Sequence, residues 1–157
     1  MNVLSKERKA LVLSSLVEGN SIRCIQRITG VHKTTILRLL EEVANRCNEL
    51  SASMIHNVQV RYLQVDEIWT FVKKKQKRVT AEEQQIGEFG DQYVFVAIDA
   101  ESKLVPTWVV GKRNGQTAYQ FMQILSKRIA GKFQLTTDAF RGYLDAVDFT
   151  FGSGGNC

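Results

Sequence analysis

The sequence predicts a mixed α+β fold, an N-terminal three-helix unit followed by a mixed α/β sheet with helices on its faces. Three observations carry this. Apolar residues recur at helical spacing over the first 50 residues. The rhythm changes near residue 61 toward alternation and short apolar runs. Strand-like segments then alternate with a helical one, as in layered folds of sheet and helix. The composition agrees with a soluble globular chain. Of 157 residues, 44% are hydrophobic and 24% charged, and a single Pro with 11 Gly excludes collagen-like or low-complexity sequence.

The helical region reads element by element. Ser5 can cap a first helix carrying Leu11, Leu13, Leu16 and Val17, which Gly19-Asn20 ends. Ser21 caps a short second helix with Ile22, Ile25 and Ile28 at period three. Gly30 follows, and a third helix runs from about His32 to Asn48 with Ile36, Leu39, Leu40 and Val43 on one stripe. Short helix, glycine turn and longer helix form the helix-turn-helix pattern. In that motif the N-terminal residues of the second helix of the pair meet base edges. Here they are His32, Lys33, Thr34, Thr35 and Arg38, two of them cationic and two able to reach a phosphate or a thymine methyl. A plain three-helix bundle with polar residues facing water is the alternative. Residues 1–50 are thus one domain, and 51–60 a short linker or helix tail.

The second region begins with a strand in RYLQVDEIWTFV. A charged insert, KKKQKRVTAEEQQIGEFGDQ, follows as a loop or extended hairpin. YVFVAID and LVPTWVVG give two further strands joined at AESK. Thr117 to Ile129 is an amphipathic helix with Ala118, Phe121, Met122, Leu125 and Ile129 inward. Phe133 to Thr137 is a fourth strand, expected parallel to the first, and Phe140 to Val147 a short helix. Residues 61–148 form this second, partial domain, and 149–157 an irregular tail.

Charge and cysteine content narrow the functional classes. The net charge is +5, with +3 in residues 1–60 and +2 in 61–157, a mild indication of an acidic partner such as nucleic acid. Cys24, Cys47 and Cys157 are an odd set without a CxxC pair, so neither a disulfide framework nor a zinc ribbon is expected. No apolar run is long enough for a membrane span, and the charged start MNVLSKERKA does not suit a signal peptide. A cytoplasmic location is the expectation.

Two acidic residues stand out. Asp66 lies inside the apolar strand LQVDEIW and Asp138 at the end of FQLTTD. Aspartate is disfavoured in mid-strand and costly when buried unpaired. Adjacent strands can bring the two carboxylates together, and like charges that close call for a cation between them. Hard oxygen ligands with few protein contacts suit Mg²⁺, or Mn²⁺ in its place. The structural alternative turns Asp66 to solvent and Glu67 inward, with Asp138 capping the helix near Phe140. Asp99, in AIDAESK, reads as a turn residue.

The segments VDEIWTFV, YVFVAIDAESKLVPTWVVGKR and LTTDAFRGY, in this order and spacing, resemble the catalytic domain of DDE transposases, and more closely the transposases of small bacterial insertion sequences. The resemblance covers about residues 61–148, and the N-terminal helix-turn-helix suits the same family. It implies a ribonuclease H-like fold, with Asp66 and Asp138 as the first two catalytic, metal-binding acids. The implied chemistry is Mg²⁺-dependent cleavage and transfer of double-stranded DNA at the element's terminal repeats. Lys73, Lys74 and Lys75, with Lys77 and Arg78, would then lie near the active strand, as backbone contacts or as a solvated charge run.

The family's third acid, usually Glu on a later helix, has no counterpart. Only Asp145 and Asp148 follow Asp138, without an intervening strand. The expectation is therefore a transposase truncated before its last acid, catalytically incomplete and with apolar surface left uncovered. A non-catalytic DNA-binding repressor or a decayed fragment is the alternative, and a homo-oligomer is left open.

Overall fold

A computed structural model describes residues 4–86 and 89–152. The chain divides into two compact units, with the boundary between Met54 and Ile55.

The first unit holds α1 (Lys6–Val17), α2 (Ile22–Thr29) and α3 (Lys33–Met54). Ser5 and Ser21 cap α1 and α2 by accepting from the amides of Arg8 and Cys24. Gly30 ends α2 at φ 68°, a left-handed conformation in which a side chain would be strained. The core is Val12, Ile25, Val31, Ile36 and Leu39. The expected inward set was therefore partly misplaced. Val12 is buried where Leu11 and Val17 are exposed, and Ile28 and Leu40 also face outward. The third helix runs six residues past Asn48 to Met54, so part of the expected 51–60 linker is helix tail.

In the second unit, β1 (Val58–Gln59) pairs in parallel with β5 (Ile129–Ala130). The main sheet comprises β2 (Tyr62–Val72), β3 (Gly90–Asp99), β4 (Trp108–Gly111) and β6 (Gln134–Thr137), in the order β4-β3-β2-β6. The β2–β3 and β3–β4 pairings are antiparallel, and β6 is parallel to β2, as the sequence predicts. The insert between β2 and β3 is not an extended hairpin. It carries a 3-10 turn (Gln76–Arg78) and a short helix, α4 (Ala81–Ile86).

Helices α5 (Gly115–Ser126) and α6 (Gly142–Phe151) supply the core's helical side. Ala118, Phe121, Met122 and Leu125 of α5 and Tyr143 and Ala146 of α6 are buried with Leu63, Val65, Phe95, Ala97 and Val109 of the strands. Strand alternation follows in the first half of β2, with odd-numbered Leu63, Val65 and Glu67 facing this core and even-numbered Tyr62, Gln64 and Asp66 facing away, whereas Trp69 and Phe71 further along are exposed. Ile68, Trp108 and Val110, of the opposite parity, are exposed apolar side chains. Helix α6 extends to Phe151, so the first three residues of the expected tail are helical, and 153–157, with Cys157, lie outside the described residues. Cys24 and Cys47 are free thiols. No helix is long and apolar enough to cross a membrane among the described residues.

Candidate acidic site and cationic surface

The register of the parallel pair β2–β6 sets the acidic site. Val65 stands opposite Thr137, so the next residues along, Asp66 and Asp138, leave the ladder side by side. Asp66 faces away from the helices and is exposed, whereas Glu67 turns toward the core and its side chain is only 3% exposed. Asp138 stands one residue past the end of β6, where the chain leaves the sheet. There it reaches both. Carboxylate oxygens of Asp66, Glu67 and Asp138 lie within 4.8 Å of one another. A groove beside Gln64, Ile98 and Thr136 opens onto Asp66 and Asp138. The two predicted acids thus meet, and both structural alternatives hold in part. Glu67 does point inward, and Asp138 Oδ1 accepts from the Phe140 amide at 3.0 Å, ahead of the helix start at Gly142. Asp66 Oδ1 accepts from the Glu67 amide at 2.7 Å.

The cation between these acids is Arg113, which no sequence signal marks. Arg113 Nε donates to Glu67 Oε2 at 2.9 Å and its Nη2 to Asp138 Oδ2 at 2.7 Å. Its guanidinium lies over the Phe140 ring, 4.3 Å from the centroid. Both neighbours of Arg113 are fixed. Lys112 Nζ donates to the carbonyls of Phe89 and Asp91, each at 2.8 Å, and Asn114 caps α5 through the Thr117 amide at 2.9 Å. The Glu67 carboxylate, then Glu67 and Asp138 as charges, hold Arg113 above its ordinary pKa. Gly142 belongs to the same arrangement, since a Cβ there would meet the Phe140 ring at 2.6 Å.

Behind the site sits Tyr143, 2% exposed. Burial first, and the facing Glu67 carboxylate second, push its phenol pKa well up. Its hydroxyl and Glu67 Oε1 are both buried, and among the described residues neither has a hydrogen bond of full geometry. Sequence spacing could have flagged Glu67, adjacent to Asp66. Arg113, in VVGKR, becomes visible only once β4 and α5 are placed.

The other acids lie apart. Asp99 is the turn residue the sequence indicates: its Oδ2 accepts from the Ser102 amide at 3.0 Å and from the Ser102 hydroxyl. Asp145 and Asp148 fall on α6 and do not join the acidic group.

In the helical unit, Arg23, Gln26 and Arg27 of α2 form a concavity with His32 and Lys33. The α2 residues were not among those predicted. His32 Nδ1 and Thr34 Oγ1 are 2.8 Å apart, which fixes the entry to α3. Thr35 is half-buried, and Arg38 is exposed. The lysine run has internal partners. Lys74 Nζ donates to Glu83 Oε2 at 2.7 Å, Lys73 stands 3.7 Å from Glu83 and over Phe89, and Lys75 lies over Trp69. No family model matches this sequence, and no curated protein matches it.

Proposed function

We propose that the chain is a DNA transposase of the insertion-sequence type, with a helix-turn-helix unit that holds the element's terminal repeats and a ribonuclease H-like unit bearing a Mg²⁺- or Mn²⁺-dependent strand-cleavage site. The observation that carries this reading is the meeting of Asp66 and Asp138 on adjacent parallel strands, with a third acid, Glu67, within 4.8 Å. The donor set fits a hard divalent cation, being all carboxylate oxygen and open to a groove. Asp66 and Asp138 would hold it, with Glu67 from the core side. Such an ion supplies activation of a water or 3′-hydroxyl and stabilisation of the leaving oxygen. The residues' own part is to present the carboxylates at fixed positions, which the β2–β6 register and the Phe140 amide do.

Duplex DNA is assigned to the α2–α3 surface. His32, Lys33, Thr34, Thr35 and Arg38 read it from α3, and Arg23 and Arg27 add cations suited to phosphates. Lys73, Lys74 and Lys75 remain backbone contacts in this reading. A second reading, binding to DNA without cleavage, draws on Arg113, which already neutralises Glu67 and Asp138.

The test is nicking of a duplex carrying the terminal repeats, with Mg²⁺ or Mn²⁺. If Glu67 serves as the third acid that the sequence alone leaves missing, nicking is expected that Asp66→Ala and Asp138→Ala each abolish. DNA bound but never cut would leave the second reading standing. Lys33→Ala with Arg38→Ala is expected to weaken binding and to lower the salt slope by about 1 for each phosphate no longer neutralised. Unchanged affinity would remove the assignment to α3.

A further inference from the structure

We propose that Arg113 is the positioning residue of the acidic site: it holds Glu67 and Asp138 as a resident cation, and a divalent metal ion binds there only by displacing it. The inference rests on the metal-dependent reading above.

The oxygens decide it. Glu67 Oε2 and Asp138 Oδ2 are taken by Arg113 at 2.9 and 2.7 Å. Of their counterparts, Glu67 Oε1 is closed to an ion arriving from solvent, and Asp138 Oδ1 is already engaged once. Asp138 Oδ1 accepts from the Phe140 amide, and Glu67 Oε1 is buried. An ion held by Glu67 together with Asp66 and Asp138 must therefore meet the oxygens the guanidinium covers.

The buried groups show that the guanidinium leaves the site partly unsatisfied. Glu67 Oε1 and the Tyr143 hydroxyl are both buried beside it, and the Glu67 carboxylate acts on the phenol at close range, yet among the described residues neither atom has a hydrogen bond of full geometry. Buried polar atoms are rarely left so, and those that are call for a ligand or a rearrangement. A carboxylate released from Arg113 is free to turn, which can bring both into use.

Arg113 is also built to leave. Its side chain is 37% exposed, and its guanidinium is held by the Phe140 ring and two carboxylates rather than by burial. The backbone on each side is pinned through Lys112 and Asn114, so the exchange is a side-chain movement.

The test is Mn²⁺ binding to the full chain, read from the loss of the free-ion electron paramagnetic resonance signal, in wild type, Arg113→Met, Arg113→Lys and Asp138→Asn. Methionine keeps an apolar stem against Phe140 and removes the charge. Expected is Mn²⁺ binding at least about tenfold tighter in Arg113→Met, the factor that one charge-assisted hydrogen bond corresponds to. Lysine should fall between methionine and wild type, and Asp138→Asn should lose binding. Without metal, Arg113→Met should melt below wild type, and Mn²⁺ should raise its Tm by more. Equal or weaker Mn²⁺ binding in Arg113→Met overturns the proposal, because a residue that merely braces the fold would not compete with the ion. Should that variant fail to fold, Phe140→Leu takes its place, since it loosens the guanidinium and leaves every charge intact. It too should bind Mn²⁺ more tightly, and equal or weaker binding overturns the proposal. Failure of wild type and all variants to bind Mn²⁺ at millimolar concentration overturns the metal-dependent function itself, and this inference with it.

Discussion

In the helical unit the core side chains are all aliphatic, Val12, Ile25, Val31, Ile36 and Leu39, and the cations Arg23, Arg27 and Lys33 line a concavity outside it. In the sheet unit acidic groups enter the core's own register: Glu67 follows Leu63 and Val65 inward on β2, and Asp99 follows Phe95 and Ala97 on β3. The difference separates two ways of joining stability to chemistry. Where charged groups stand on the surface, packing and binding can be altered independently. Where a carboxylate is buried beside a guanidinium and an aromatic ring, any change in packing moves the chemistry too.

The largest expected effect tests that separation directly. Residues 1–54 contain no Phe, Tyr or Trp, so tryptophan fluorescence reports the sheet unit alone, whereas far-UV circular dichroism reports both. Phe95 is fully buried and touches the rings of Phe121, Phe140 and Tyr143. Phe95→Ala is expected to cost about 3–5 kcal/mol, and Ile25→Ala about 2–5 kcal/mol. In urea, Phe95→Ala should move the fluorescence transition, and Ile25→Ala should move only the dichroism. A fluorescence transition that shifts equally in Ile25→Ala would mean one cooperative body, and the comparison would break.

The two units were also unequally legible in the sequence. Helix positions in the first followed from caps and glycines, because Ser5, Ser21 and Gly30 act through the local backbone. Which face was buried was less clear, since α1 carries Leu11, Val12 and Leu13 in a row and only packing against α2 and α3 selects Val12. In the second unit, strand order and the parallel return of β6 could be read from pattern and topology. The meeting of Asp66 with Asp138 was readable as well, because Asp66 interrupts an apolar strand and Asp138 ends another strand-like run that returns parallel beside it. Glu67 was weighed only as the inward partner, because alternation assigns it to the face opposite Asp66, and period alone does not show that Asp138 can reach round the strand end to both. Arg113 lies 46 residues from Glu67 and 25 from Asp138, and no local signal links them.

A smaller effect sharpens the comparison, one helix cap set against another. Among the described residues Ser21 Oγ accepts the Cys24 amide alone, at 3.2 Å on the surface. Asn114 Oδ1 accepts the Thr117 amide at 2.9 Å and the Thr117 hydroxyl at 3.0 Å, where Thr117 is buried. Ser21→Ala should cost about 1 kcal/mol and Asn114→Ala closer to about 2 kcal/mol, because the second also strands a buried hydroxyl. Only Asn114→Ala should in addition alter Mn²⁺ binding, since Asn114 anchors the backbone next to Arg113. Urea midpoints beside Mn²⁺ titrations measure both. Equal costs with unchanged metal affinity would show that Arg113 is held by its carboxylates alone.

The smallest effect concerns surface charge in the sheet unit, at the insert between β2 and β3. Lys74, then the Thr80 amide, hold the Glu83 carboxyl down to about 2. A carboxyl with a folded pKa below its ordinary value adds stability above that ordinary value, about 4.3, and loses it as pH falls through the folded one. The Tm gap between wild type and Glu83→Gln should therefore be widest above about pH 5 and close toward about pH 2. A gap that stays constant across that range would mean that the carboxylate charge contributes nothing there. The same variant bears on the lysine run. Glu83 engages Lys74 and lies near Lys73, so removing its charge frees both for phosphate. If the run contacts DNA, Glu83→Gln should bind duplex more tightly at low salt, with a steeper salt slope. If affinity does not change, Lys73 and Lys74 serve to pin the insert, and DNA binding falls to the α2–α3 surface alone.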